Sequence, residues 1–309
     1  MRNRVFSFPS ATGVCDISAE AYLPEADSFS SILVIHHGMA EHRQRYLPFI
    51  RFLADHGVAV YMHDMASHGQ SLSPSGMTGW FGEQDGVSNL VRDFRTLVSH
   101  AMQDYPDKKI FVMGHSMGSF ICRLYLSRFP EDRPAGAIIM GSGGPNPAAK
   151  AGLVVASAIG KVKGKTYKSQ ILNQMAFGSY GKHFEGRTEF DWLTRDTAIV
   201  DQYVADPLCG YLFTVQGMYD LVQANIHSNA PEWFTSLPKD LPLLLISGEE
   251  DPVGEYGKGV RAVADQLRSS GHDAVSLKLY PGCRHEILNE TNRQEVMGDI
   301  LRWLETSRI

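Results

Sequence analysis

Two rhythms of apolar and polar positions run along this chain. The opening segments NRVFSF and DISAEAYLP alternate on either side of the turn-forming PSATG, the pattern of an antiparallel hairpin with half-buried strands. From Ser31 onward the alternation gives way to short unbroken apolar runs, ILVIHH, VAVYMHD, KIFVMGH and AGAIIMGS, each separated from the next by a helical stretch. Strands covered on both faces have no polar side to show, so these runs predict a parallel sheet flanked by helices. The clearest helix follows Asp85: Val87, Leu90, Val91, Phe94, Leu97, Val98 and Met102 share one stripe, and Pro106 ends it.

After Gly141 the rhythm stops. GSGGPNP is a turn-rich exit, and the next buried strand is PLLLISG, followed by a helix over Val260, Val263, Ala264 and Leu267, the strand VSLKLYPG, and a last helix over Val296, Ile300, Trp303 and Leu304. Thr291 and Gln294 have the spacing of a capping box at the start of that last helix. The pattern predicts an α/β core formed by residues 1–142 and 229–309, interrupted at 143–228 by a mostly helical insertion. A length of 309 residues suits one such core with one such insertion.

Composition narrows the function. Lys+Arg 29 against Asp+Glu 34 leaves a net charge of −5, so no concentrated basic surface is on offer to a nucleic acid. No run approaches the roughly 20 apolar residues of a membrane span, and MRNRVFSFPSATG has no apolar signal-peptide centre, which makes a cytosolic address the expectation. Cys15, Cys122, Cys209 and Cys283 lack paired or zinc-like spacing and read as reduced thiols.

The chemistry concentrates where the strand KIFVM runs into GHSMG and the helix SFICRLYLSRFP leaves it. A serine between glycines on a strand-to-helix turn is a nucleophile elbow, which exposes Ser116 at the C-terminal edge of the sheet. A serine hydroxyl needs a base to take its proton and an acid to orient that base, in the chain order serine, acid, histidine. The loop after PLLLISG supplies Glu249, Glu250 and Asp251, which spacing does not tell apart. The loop after VSLKLYPG supplies His285, the only one of the 12 histidines placed there. Backbone N–H groups of Met117, after the nucleophile, and Met39, in HHGMAEH, are the candidates for an oxyanion hole. The histidines His36, His37, His42, His63 and His68 form neither HxHxDH nor HExxH, so no metal is expected and buried, hydrogen-bonded roles fit them better.

In order along the chain, HHGMAEHRQRY, DMASHGQS, GHSMG, LTRDTAIVDQYVADPL, GEEDPV and RHEILNE resemble the monoacylglycerol lipase and lysophospholipase branch of the α/β-hydrolases, also labelled serine aminopeptidase-like. The resemblance implies the α/β-hydrolase fold and resolves the acid as Asp251, because the family's acid immediately precedes the position of Pro252. It places the oxyanion donors at Met39 and Met117, and it puts Glu41 and Arg45 near the leaving group, with a structural ion pair beneath the loop as the plainer role. Two positions depart from the family: Ala40 replaces the second glycine of HGxGEH, and Leu288 stands where animal members have a histidine near the glycerol.

The resemblance also makes the insertion a cap over the serine. AKAGLVVASAIGKVKGKTYK mixes Leu153, Val154, Val155, Ile159 and Val162 with Lys150, Lys161, Lys163, Lys165 and Lys168. A basic amphipathic helix of this kind can rest on a membrane surface, although five lysines suit an ordinary solvated face as well. Phe177, Tyr180, Phe184, Phe190, Trp192, Tyr211, Phe213 and Met218 are candidates for an acyl pocket or for the packing of the cap itself. The implied activity is hydrolysis of a carboxylic ester with a single acyl chain, a monoacylglycerol, lysophospholipid or simple ester, through an acyl-enzyme and without a cofactor. The alternatives are an amidase or aminopeptidase with the same machinery, or a ligand-binding protein on the same scaffold.

Overall fold

The computed structural model describes residues 1–26 and 28–307. One sheet holds eight strands in the order β1-β2-β4-β3-β5-β6-β7-β8. The hairpin is there: β1 (Arg2–Pro9) pairs antiparallel with β2 (Asp16–Leu23), and β2 pairs antiparallel with β4 (Val58–His63). Every other pairing is parallel, among β3 (Ser31–His36), β4, β5 (Lys109–His115), β6 (Gly136–Met140), β7 (Leu243–Gly248) and β8 (Val275–Tyr280).

The unbroken apolar runs have the cause expected of them. On β3, Ile32 and Val34 join one core cluster while Leu33 and Ile35 join the other, as a two-residue repeat demands when both faces are dry. The first cluster is closed by α2 (Gly86–Asp104), α3 (Met117–Arg128), α8 (Pro231–Ser236) and α9 (Lys258–Ser269). The second is closed by α1 (Leu47–Asp55) and α10 (Arg293–Thr306).

The capping box does not form. Helix α10 begins at Arg293, one residue after Asn292, which makes no side-chain cap. The buried carboxylate of Glu290 takes the Thr291 N–H instead, at 3.0 Å, and also binds the Arg195 side chain. A long-range ion pair has overridden a local signal.

Between β6 and β7 the chain forms helices α4 (Ala149–Lys163), α5 (Gln170–Phe177), α6 (Thr197–Ala205) and α7 (Val215–Ser228), with a single isolated bridge from Lys168 to Thr214. Helix α4 buries only Ala149 and Ala156. Val154 is 70% and Val162 80% exposed, so the apolar residues of this helix divide between the interior and solvent. Cys122, Cys209 and Cys283 are buried, Cys15 is half-buried, and all four are free thiols. Among the described residues, no helix is long and apolar enough to cross a membrane.

Candidate active site

The parallel strands carry the site at their C-terminal ends. Ser116 follows β5 directly and has φ 53° and ψ −123°, a region that costs a non-glycine residue about 1–3 kcal/mol. The turn survives because neighbouring backbone fits against it without side chains. A Cβ on Gly118 would lie 2.3 Å from the His37 carbonyl oxygen, and one on Gly114 would lie 2.2 Å from the Gly118 carbonyl oxygen. The Ser116 N–H donates to the Met140 carbonyl on β6 at 3.0 Å, which ties the elbow to the sheet.

At the ends of β7 and β8 the structure brings together Asp251 and His285. His285 Nδ1 lies 2.9 Å from Asp251 Oδ1, and both side chains are almost fully buried. Ser247 donates its hydroxyl to Asp251 Oδ2 at 2.9 Å, and the Val253 N–H donates to Oδ1 at 2.9 Å. Burial alone would raise the Asp251 pKa, but the His285 charge and these hydrogen bonds outweigh it and hold the carboxyl below its ordinary value. For His285, burial pulls downward and Asp251 more than reverses it, so its pKa is raised. Glu249 faces Arg261 at the surface at 3.7 Å and Glu250 is exposed, so burial separates the three acids that spacing left equal.

The loop after β3 presents Met39. The N–H groups on either side of it are committed: Gly38 donates to Glu41 Oε1 at 2.6 Å and Ala40 donates to His68 Nε2 at 3.1 Å. Among the described residues, the N–H groups of Met39 and Met117 have no protein acceptor. Ala40 takes the left-handed conformation, φ 50°, so the alanine that departs from the family's glycine sits where a glycine would be relaxed.

The histidines behind the loop act as struts. His37 Nε2 accepts from the Met65 N–H at 2.9 Å while its Nδ1–H donates to the Gly38 carbonyl at 2.8 Å, and His68 Nδ1–H donates to the Ala66 carbonyl at 3.0 Å. Burial depresses the pKa values of His36, His37, His63 and His68 and keeps them neutral, His36 down to about 3. One trio, His42, Asp206 and Cys209, has possible metal-ligand atoms within 4.8 Å of one another. His42 Nε2 and Asp206 Oδ2 already meet at 2.8 Å, a contact that joins the loop after β3 to the segment after α6.

Glu41 and Arg45 belong to a buried network, which favours the plainer of their two expected roles. Arg45 binds Glu286 through both terminal nitrogens at 2.6 Å and Glu41 Oε2 at 2.8 Å. Glu41 Oε1 also accepts from the Tyr46 hydroxyl at 2.9 Å and lies 3.2 Å from His115 Nδ1. Burial would raise the Glu41 carboxyl, but His115 and Arg45 hold it well below the usual range. Glu41 still lines the cavity in front of Ser116, whereas Arg45 does not. Sequence reasoning missed Glu286, Tyr46, His115 and Ser247; the one available signal was an acid directly beside His285, and it named no partner.

A cavity of about 1040 Å³ opens from Ser116 and His285. Met39, Met117, Phe177, Tyr180, Phe190, Trp192, Tyr211 and Met218 line it. The Trp192 ring lies 5.1 Å from His285 and 5.1 Å from Tyr180. Two expected lining residues are elsewhere: Phe184 lies beneath the Arg284 guanidinium and Phe213 packs against Phe81 in the core. Leu288 is buried in the cluster under α10.

A mostly parallel eight-stranded sheet, with a serine elbow after β5 and an aspartate–histidine pair after β7 and β8, is the architecture of an α/β-hydrolase. The family described as serine aminopeptidase, S33, matches residues 27–292. The chain is 31% identical over 299 residues to a monoacylglycerol lipase of Mycolicibacterium smegmatis, covering 96% of this chain and 95% of that one. It is 28% identical over 279 residues to the monoglyceride lipase of Rattus norvegicus, covering 89% and 81%. A highly thermostable carboxyl esterase from Bacillus coagulans, solved in complex with glycerol, superposes with a TM-score of 0.93 at 31% identity, with all of both chains covered. The chain belongs to the serine aminopeptidase S33 family, in the monoacylglycerol lipase-like branch of the α/β-hydrolases.

Proposed function

We propose that this protein hydrolyses carboxylic esters of a single acyl chain, with a monoacylglycerol, lysophospholipid or simple ester as substrate. The observation that carries the reading is the cavity. One space of about 1040 Å³ touches Ser116, His285, Met39 and Met117 and continues along apolar side chains, room for an acyl chain beside a nucleophile. Ser116 Oγ attacks the ester carbonyl as His285 Nε2 takes its proton, while Asp251 holds His285 through Nδ1. The negative charge that develops on the carbonyl oxygen falls to the Met39 and Met117 N–H groups. His285 returns the proton to the leaving alcohol; water then attacks the acyl-enzyme by the same route in reverse.

Residues 143–228 form the cap in this reading, with α4, α5 and α7 as walls of the acyl site. Val154, Val162, Ile171 and Met175 are each more than half exposed on α4 and α5, among Lys150, Lys161, Lys163, Lys165 and Lys168. Their exposure favours a cap that rests on a lipid surface over a merely solvated helix.

The test is a fluorophosphonate label followed by chain-length series of p-nitrophenyl esters and monoacylglycerols, with Ser116→Ala as control. Labelling of the wild type alone, with turnover that rises for longer acyl chains, is expected. A folded wild type that is neither labelled nor active defeats the serine mechanism and leaves a binding protein, and preference for aminoacyl amides over every ester makes it an amidase.

A further inference from the structure

The guanidinium of Arg123 is fully buried on α3, seven residues past Ser116 on the helix that the elbow starts, about 10 Å along its axis. Among the described residues no carboxylate pairs with it, and burial pulls its pKa down. A buried cation without a counter-ion is costly and is tolerated only when its donors are well used. Among the described residues Nε has no partner, and the two terminal nitrogens are spent on two stretches of chain far apart in sequence. Nη1 donates to the Ser142 hydroxyl at 3.3 Å and to the Gly143 carbonyl at 3.3 Å. Nη2 donates to the Ser228 carbonyl and to Asn229 Oδ1 at 3.0 Å.

The first is where the chain leaves β6 for the helices α4 to α7, and the second is the end of α7, ahead of α8 and the return to β7. Asn229 Nδ2 closes the figure by donating to the Gly143 carbonyl at 3.4 Å, and Asn225, one turn earlier on α7, donates to the Gly144 carbonyl at 3.2 Å. The Trp233 ring covers the guanidinium at 4.3 Å, and its indole N–H donates to the Arg123 carbonyl at 2.6 Å. Helix α7 lines the cavity with Met218, Leu221 and Val222, and α4 lines it with Ala149 and Ala156. Both walls therefore spring from roots that one side chain holds to the helix of the nucleophile.

We propose that Arg123 is the positioning residue for the acyl site: it holds both roots of the cap, and so the α4 and α7 walls, in register with Ser116, and thereby sets selectivity for long acyl chains. The proposal rests on Ser116 as nucleophile and on residues 143–228 as cap. A planar fork with donors aimed in two directions suits the task, and a lysine, whose ammonium is a single point, cannot reach both roots.

The full-length Arg123→Lys and Asn229→Ala variants test it, with p-nitrophenyl acetate and a monoacylglycerol of 16 to 18 carbons as substrates. Amide exchange of α4 and α7 is followed against β5, β6 and β7. For Arg123→Lys, kcat/KM on the long substrate is expected to fall about tenfold through KM, while acetate turnover and fluorophosphonate labelling stay within about twofold. Exchange in α4 and α7 quickens and that of the strands does not. Asn229→Ala moves the same readouts in the same direction by less, and it decides the matter if Arg123→Lys does not fold.

A long-to-short ratio that is unchanged, or that survives because both activities fall in parallel, overturns the proposal and leaves Arg123 a packing residue. A wild type that takes no label and turns over no ester overturns the Ser116 reading and the selectivity with it. That failure shows in the wild type, whereas failure of Arg123 alone shows only in the variants.

Discussion

The sheet and the helices laid over its C-terminal edge use similar side chains and treat them differently. Every residue of β3, β4, β6 and β7 is buried, whereas α4 buries two of its 15 residues and turns valines to solvent. The proposed catalytic groups grow from the first region. Ser116, Asp251 and His285 stand on loops tied down beside them: the Ser116 N–H to Met140, the Asp251 carboxylate to Ser247, and Glu286 next to His285 to Arg45. The second region supplies walls of the cavity, the proposed acyl site. Few buried apolar contacts mean a low cost of local opening, so the difference separates a rigid reaction centre from a region able to yield to a substrate.

That contrast can be broken most forcefully at Ser116, the proposed nucleophile. Ser116→Ala is expected to lower kcat about 10⁶-fold with the fold intact, measured on any ester the wild type accepts. Asp251→Asn follows, at about 10⁴-fold. The same variant sharpens the electrostatic side of the comparison. A base works in its neutral form, so kcat/KM rises with pH through the His285 pKa. With Asp251 present that rise lies above the ordinary histidine value of 6.5, and without the carboxylate, burial moves it downward. A wild-type acid limb below 6.5 contradicts the pairing.

Stability comes next in size. Ile139→Ala, in β6 at 1% exposure, should cost about 2–5 kcal/mol in urea unfolding. The buried histidines add a pH dependence that belongs to the core alone. His36, His37, His63 and His68 have depressed folded values, so the unfolded chain binds more protons once pH drops below about 6.5. The contribution of these four histidines is full above that pH and is lost below it, by up to about 1.4 kcal/mol per pH unit for each until its folded value is reached, whereas His285, with its raised value, acts in the opposite sense. Acid titration of the urea midpoint, repeated with His63→Gln, reads the slope. Smallest is Val162→Ala on α4, at 80% exposure, with a change of about 0.5 kcal/mol or less. If Val162→Ala cost as much as Ile139→Ala, the two regions would not differ.

The same division governs what could be read from the residues alone. Unbroken apolar runs identified the parallel strands because burial on both faces leaves a one-dimensional trace. The elbow was legible because glycine, serine and glycine sit together on a strand-to-helix turn. The carboxylate was not settled by spacing: Glu249, Glu250 and Asp251 are neighbours, and only the approach of the β8 loop makes one of them dry. Glu286 and His115 escaped notice since Arg45 and Glu41 reach them across the fold, Arg45 and Glu286 being 241 residues apart and Glu41 and His115 74; Tyr46, five residues from Glu41, carries no spacing signal of its own. The capping box at Thr291 failed for a related reason, an unforeseen partner for Glu290. In residues 143–228, periodicity marked α4 as amphipathic but left open whether its apolar residues pack inward or face outward, and Val154 and Val162 face solvent, since a helix with few buried neighbours has no single inside.

Gly114 and Gly118 bear on how a chain like this one is able to change. Neither position has room for one methyl group, because carbonyl oxygens of the elbow and of the loop after β3 stand within 2.3 Å of where it would go. A side chain at either site would have to displace the backbone of the elbow or of that loop, so this turn tolerates little change. Val154, Val162, Ile171 and Met175 carry no such restriction, so substitutions can accumulate over the cavity while the elbow stands still. The outer surface of these helices can drift where the turn cannot.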